Sequence, residues 1–403
     1  MKAKQEKTER ETGAAAGTPQ GSSWNSRVLT GVFLALIFGL TIAGFFSPVR
    51  ERSESENRTL AQKPKFTLAS LFAKKDEDKY TRKYEDYLTD QFIGRDAWIG
   101  LKTRTERLIG KKDINGVYFA ADGYLITKTD ASSVDAETEE KNIARLAAFV
   151  KKYSELLGEG RVYAMLVPTA ADIYADKLPA HTEEYDQEAL LARVSDLLGN
   201  SFVNVRDSLL AHNGEYLYYR TDHHWTALGA YYAYRAWAEA LGKSPRGQED
   251  YSVSTGSGEF YGTLYSKVNL PMQADTVTLY DDGRAYRVEY DMNGKPQNSL
   301  FAMNRLTEKD KYMVYLDGNH AVSHIRQQGE ERNGRRLLVV KDSYAHTFVP
   351  FLAQDYDEVI MVDFRYSKMP VSQLIKLYEV TDILFLYNAT NFVQDDNLYQ
   401  LER

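Results

Sequence analysis

From Leu337 to Leu386 short apolar runs alternate with helical patterns, and this alternation restricts the possible folds more than any other stretch of the chain. Leu337-Leu338-Val339-Val340 reads as a buried strand, residues 345–354 as a helix, Glu358–Val362 as a second strand, residues 372–380 as a second helix and residues 382–386 as a third strand. Strands joined through helices pair in parallel, with right-handed crossovers, because each helix carries the chain back to the end where the previous strand began. An earlier segment has the same grammar. Ile143, Leu146, Val150, Tyr153 and Leu157 recur at helical spacing over residues 137–157, Gly158 and Gly160 end that helix, and Val162–Val167 follows as a strand stopped by Pro168. The expected class is α/β with a mainly parallel sheet.

In such sheets ligands gather beyond the carboxyl ends of the strands. Ser343 stands there, in Lys341-Asp342-Ser343-Tyr344, between a predicted strand and a predicted helix. A helix start presents unpaired N–H groups and partial positive charge, which suit an oxyanion formed when a serine attacks an ester. About 120 residues earlier lies Asp222-His223-His224-Trp225-Thr226. In an extended segment the side chains at i and i+2 share a side, so Asp222 and His224 converge while His223 points away. Asp222, His224 and Ser343 are therefore the candidate catalytic triad, with His224 as base and Asp222 holding its tautomer.

Each of these residue types also has a commoner role. A serine after a strand is often a helix cap, and adjacent histidines often pack or cap. Asp222, His223 and His224 are all metal-ligand types, but neighbouring residues do not easily face one ion, and no HExxH spacing occurs, so no metal is expected. His346, one turn past Ser343, is a rival base. Asn388, after Leu384-Phe385-Leu386-Tyr387, and Asn319, in Asp317-Gly318-Asn319-His320, are candidate oxyanion or substrate-binding residues or turn stabilisers. Tyr344 and Trp225 are a sugar platform or core, and His223 contacts substrate or packs.

A second constraint comes from residues 28–48, an uncharged apolar run of the length a helix needs to cross a bilayer. Lys2, Lys4, Lys7, Arg10 and Arg27 precede it, which keeps the N-terminus cytoplasmic and places the rest outside. The run is longer than a signal-peptide core and lacks an Ala-x-Ala site, so an uncleaved anchor is expected. The organisation that follows is a disordered tail over 1–27, an anchor over 28–48, a stalk and helical entry region over 49–110, and a catalytic domain over 111–403. One helix is expected across residues 80–108, burying Tyr84, Tyr87, Phe92, Trp98 and Leu101. Residues 251–335 lack long periodic segments and read as an elaborated, β-rich region. A net charge of -7 gives nucleic acid no electrostatic footing, and with no cysteine there are no disulfides or thiolate sites. No cofactor is implied.

The chain is also similar to a known family. Asp222-His223-His224-Trp225 resembles the signature of the bacterial DHHW protein family, and Lys341-Asp342-Ser343-Tyr344 its companion motif. Ser55-Glu56-Asn57-Arg58-Thr59-Leu60 with Pro64, Asp90-Gln91-Phe92 with Arg95-Asp96, Val167-Pro168-Thr169, Gly262-Thr263-Leu264-Tyr265-Ser266 and Asp317-Gly318-Asn319-His320 extend the likeness. That family is similar to SGNH-hydrolase-like alginate O-acetylation proteins, whose Asp-x-His-Trp likewise precedes their Gly-Asp-Ser. The resemblance implies a three-layer SGNH-like fold and the triad Asp222, His224 and Ser343. It further implies an exported O-acetyltransferase for a cell-surface polysaccharide, with a membrane-bound O-acyltransferase as acetyl supplier. Lys341 departs from the glycine of the wider superfamily. An O-acetylesterase would use the same acyl-enzyme, and a carbohydrate-binding protein without turnover would keep only the fold.

Overall fold

A computed structural model describes residues 23–53, 58–291, 294–329 and 333–403. Most of the tail expected over 1–27, and Ser55-Glu56-Asn57 of the entry region, lie outside the described residues. The chain clusters into two compact units, Met1–Glu51 with Leu60–Arg95, and Arg52–Thr59 with Asp96–Arg403.

In the first unit α1 (Ser23–Phe46) is apolar along its length and long enough to cross a bilayer. In α2 (Tyr80–Asp90) the Tyr80 and Tyr84 rings stack at 5.7 Å. Its last turn ties down the connector that follows α1: Asp90 accepts from the Ala61 N–H at 2.8 Å, and the Gln91 amide both accepts from the Arg50 N–H and donates to the Arg50 carbonyl. The single helix expected over 80–108 is instead two. The first ends at Asp90, and Gly94, at φ +65°, turns the chain just before α3 (Arg95–Leu108), which starts in a new phase. Trp98 and Leu101 are consequently 43% and 52% exposed, where the pattern predicted burial.

The second unit is built on α4 (Ala136–Leu157), β1 (Val162–Val167), α5 (Gln187–Leu198), α6 (Ala227–Ala240), α7 (Thr263–Val268), β2 (Tyr286–Tyr290), β3 (Val322–Gln327), β4 (Arg336–Lys341), α8 (Ala345–Leu352), β5 (Glu358–Val362), α9 (Val371–Tyr378), β6 (Asp382–Asn388) and α10 (Ala389–Gln394). Six strands form one sheet in the order β1-β6-β4-β5-β3-β2. The pairs β1–β6, β6–β4 and β4–β5 are parallel, whereas β5–β3 and β3–β2 are antiparallel. The sheet is thus mixed, which corrects the expectation of a mainly parallel one. The difference lies in residues 251–335, which supply both β2 and β3. Only 3₁₀ turns separate those strands among the described residues, and without a crossover helix the chain returns antiparallel. The same region carries a separate two-stranded ribbon, Ser252–Phe260 with Asp275–Asp281.

Alternate residues of the strands feed two cores. Met165, Val167, Leu337, Val339, Leu384 and Leu386 pack with α6 and α8, while Leu166, Leu338, Val340, Ile383 and Phe385 pack with α4, α5 and α9. Helices therefore cover both faces. Because β4 lies between β5 and β6, and the helices that follow β4 and β6 pack on opposite faces, a crevice opens at the carboxyl ends of β4 and β6.

Candidate active site

Ser343 occupies the turn that joins β4 to α8, at that crevice. Its Oγ lies 2.7 Å from His224 Nε2, and His224 Nδ1 lies 2.5 Å from Asp222 Oδ1. The carboxylate can only accept, so Nδ1 carries the proton and the Nε2 lone pair faces the serine hydroxyl. All three residues are buried. Asp222 Oδ1 also accepts from the His224 N–H at 3.0 Å, and Oδ2 accepts from the N–H and hydroxyl of Thr263 at 2.7 and 2.9 Å. Burial alone would raise the Asp222 pKa, but attraction to the adjacent His223 and His224 imidazoles and these hydrogen bonds outweigh it and hold the group well below the usual carboxylate range. Gly262 makes the close approach possible, since a Cβ there would stand 2.3 Å from Asp222 Oδ2. One residue before the motif, Thr221 is held by Asp275, whose carboxylate accepts from its N–H and hydroxyl at 2.7 and 2.5 Å.

The two motifs are tied to each other as well. The Trp225 indole N–H donates to the Tyr344 carbonyl at 3.0 Å, and the Tyr344 hydroxyl donates to the His223 carbonyl at 2.6 Å. Trp225 is fully buried against Tyr344 and Phe348, so it supports the motif and shows no face to a ligand. Tyr312 closes the other side. Its ring stacks on His224 at 3.8 Å with 9° between planes, and its hydroxyl donates to the Ser343 carbonyl at 3.0 Å.

Asp342 sets the serine turn. It accepts from the Tyr344 N–H at 2.9 Å, from the Asn388 N–H and side-chain amide at 2.9 and 2.8 Å, and from the Asn391 amide at 2.9 Å. Burial raises the Asp342 pKa, and these donors pull against it. Asn388, a candidate oxyanion or substrate residue, therefore spends its amide on Asp342, while its oxygen caps α10 by accepting from the Asn391 N–H. The Ser343 N–H has no acceptor among the described residues and is available at the hydroxyl it follows. Asn319 accepts from Arg365 at 3.2 Å instead.

Lys341 explains its own departure from glycine. Buried, it pairs with the Asp363 carboxylate at 3.0 Å and donates to His346 Nε2 at 2.8 Å. The rival base His346 thus faces Lys341, and burial followed by the Lys341 charge keeps it neutral. His223 Nδ1 meets the Thr263 hydroxyl at 2.8 Å, and its pKa is pushed down to about 3, by burial first and by His224 second. Ligand atoms of Asp222, His223 and His224 lie within 4.8 Å of one another. Both ring nitrogens of His224 and both oxygens of Asp222 are already engaged in the contacts above, so this set suits proton transfer better than metal coordination.

Beside the triad lies a cavity of about 260 Å³ lined by Asp222, His223, Tyr344 and Asn388, together with Thr127, Thr263 and Lys267. Sequence patterns gave no role to Thr263, Tyr312 or Asp275. Thr263 lies in a segment that only the family resemblance marks, and Tyr312 sits in a region without periodicity.

An α/β sheet with a buried Ser–His–Asp chain at the carboxyl ends of its strands defines the class of protein. Within that class the chain belongs to the DHHW protein family, whose profile matches residues 139–362. Its structure is similar to that of a DHHW family protein from Eubacterium siraeum, at 26% identity and a TM-score of 0.59 over 72% of this chain and 96% of that one. It is also similar to Bacillus cereus PatB1, solved with a sulfonyl adduct, at 20% identity and a TM-score of 0.58 over 71% and 98% of the two chains. The O-acetyltransferase domain of Pseudomonas putida AlgJ aligns more loosely, at 15% identity and a TM-score of 0.43 over 72% and 99%. No curated protein matches the chain.

Proposed function

We propose that this is an SGNH-like serine O-acyltransferase that moves an acetyl group to a hydroxyl of a cell-surface polysaccharide. The observation that carries the proposal is the continuous chain Asp222 Oδ1···His224 Nδ1 and His224 Nε2···Ser343 Oγ, at 2.5 and 2.7 Å. His224 takes the Ser343 proton as Oγ attacks the acyl carbonyl. The Ser343 N–H faces the oxygen that gains charge, a contact of the kind whose loss costs ~10²–10³ in rate. Collapse expels the donor's alcohol, protonated by His224, and leaves acyl-Ser343. An acceptor hydroxyl then gives its proton to His224, attacks the acyl carbon and releases Ser343. Asp222 stays ionised throughout and stabilises the imidazolium.

The rest of the assignment follows from the sequence. Residues 28–48, most of them in α1, are a single-pass anchor with residues 1–27 cytoplasmic, residues 49–110 are the entry region, and residues 111–403 are the catalytic domain facing outward. A membrane-bound O-acyltransferase supplies the acetyl group. Incubation of the full chain in detergent with an activated acetyl ester tests the chemistry. Mass spectrometry should find an acetyl adduct on Ser343 that is absent from Ser343→Ala and His224→Ala. Equal acetyl release by all three proteins would sink the proposal, while turnover that ignores added sugars and uses only water would make the protein an esterase.

A further inference from the structure

The cavity beside the triad has walls rich in hydroxyls and amides, from Thr127, Thr169, Thr263, Thr390 and Asn391, over an apolar floor that includes Ile126 and Ala170. Its volume of about 260 Å³ is more than a two-carbon acetyl group fills. One feature inside it is unexplained by the triad: Lys267, the cationic side chain of the lining, whose ammonium pairs with no carboxylate among the described residues. Asp222 is the carboxylate of the lining, and its oxygens are taken up by His224 and Thr263.

The position of Lys267 is set by the triad's own support. Thr263 and Lys267 are four residues apart on α7, hence on one face and roughly 6 Å apart at Cβ. The helix whose first residue bonds Asp222 thus aims a cation into the same cavity one turn further on, and the Asn115 amide anchors that turn by donating to the Lys267 carbonyl at 2.7 Å.

We propose that this cavity is the acceptor subsite and takes a sugar unit bearing an acidic group, carboxylate or phosphate, which pairs with Lys267. The proposal rests on the O-acyltransferase assignment and names its acceptor class.

The test is a binding titration on the full-length Ser343→Ala chain in detergent, which cannot be acylated. Three probes are used: trigalacturonate, its neutral methyl ester, and a phosphate-bearing oligosaccharide. At least one acidic probe should bind about tenfold more tightly than the methyl ester, with the gap shrinking as salt rises. Which acidic probe wins identifies the anion. Adding Lys267→Arg should keep the preference, whereas adding Lys267→Ala should remove it and Lys267→Glu should reverse it; the side chain is exposed, so thermal melts should not move. No binding of any probe, equal affinity for acid and ester, or a preference that survives Lys267→Glu overturns the proposal. Acetyl-Ser343 formation by the unsubstituted chain is read separately. An adduct without charge preference defeats the subsite alone, and charge preference without an adduct defeats the transferase alone.

Discussion

The β4-to-β6 series and residues 251–335 both build the site, and they do so by different routes. In the first, each strand and helix announces itself through its own spacing, and Ser343 falls at a junction that the topology turns into a crevice. In the second, Thr263 at the start of the short helix α7 and Tyr312 in a 3₁₀ turn reach Asp222, His224 and Ser343 without a periodic signal. Local pattern locates the candidate triad; long-range packing orients it.

Substitutions can break this division. Ser343→Ala removes the atom itself, and the rate of acyl release should fall by at least ~10³-fold with the fold unchanged, as measured by ester turnover and circular dichroism. Tyr312→Leu leaves every triad atom in place but removes the stacked ring and the Ser343 carbonyl's donor. A loss of ~10²-fold in kcat with little change in KM is expected, and Tyr312→Phe, which keeps the ring, should recover most of it. If Tyr312→Leu is as active as the unsubstituted chain, the middle segment is a spectator.

Asp310 sharpens the comparison through stability. Its pKa is pushed up to about 6, by burial first and by the Asp222 charge second. Between about pH 4 and pH 6 the unfolded chain sheds this proton while the folded one keeps it, so stability falls as pH rises through that window. Asp310→Asn should match the parent in urea unfolding at pH 4 and exceed it by ~1–2 kcal/mol at pH 7, allowing for partial exposure. Thr263→Val is the mildest change. It deletes one hydroxyl donor to Asp222 but keeps the N–H, and should cost about fivefold in rate, or ~1 kcal/mol.

The grouping was legible because Asp222 and His224 are two apart and Ser343 follows a strand; the expected extended segment is instead a series of bends over residues 221–224, where the His224 N–H donates to Asp222 Oδ1. Thr226 likewise caps α6 as its position suggests, accepting from the Gly229 N–H at 3.3 Å. The antiparallel edge was not legible: β2 and β3 are as long as β5 and β4, but Arg287, Glu289, Ser323, His324 and Arg326 interrupt them, so they lack the continuous apolar run of the central strands. Nor was the burial of Trp225, since a tryptophan in a motif looks the same whether it stacks on a sugar or on Phe348. The helix break at Gly94 hid because the apolar spacing continues across it.

The Asp342 clamp has a consequence in time. Synthesis delivers Asp222 and His224 first, then Ser343, and only about 45 residues later Asn388 and Asn391, whose three hydrogen bonds seat the serine turn. A chain that ended short of Asn391 would hold Asp222, His224 and Ser343 but lack a donor that fixes the Ser343 turn, so on the proposed chemistry such a truncated chain should be inactive.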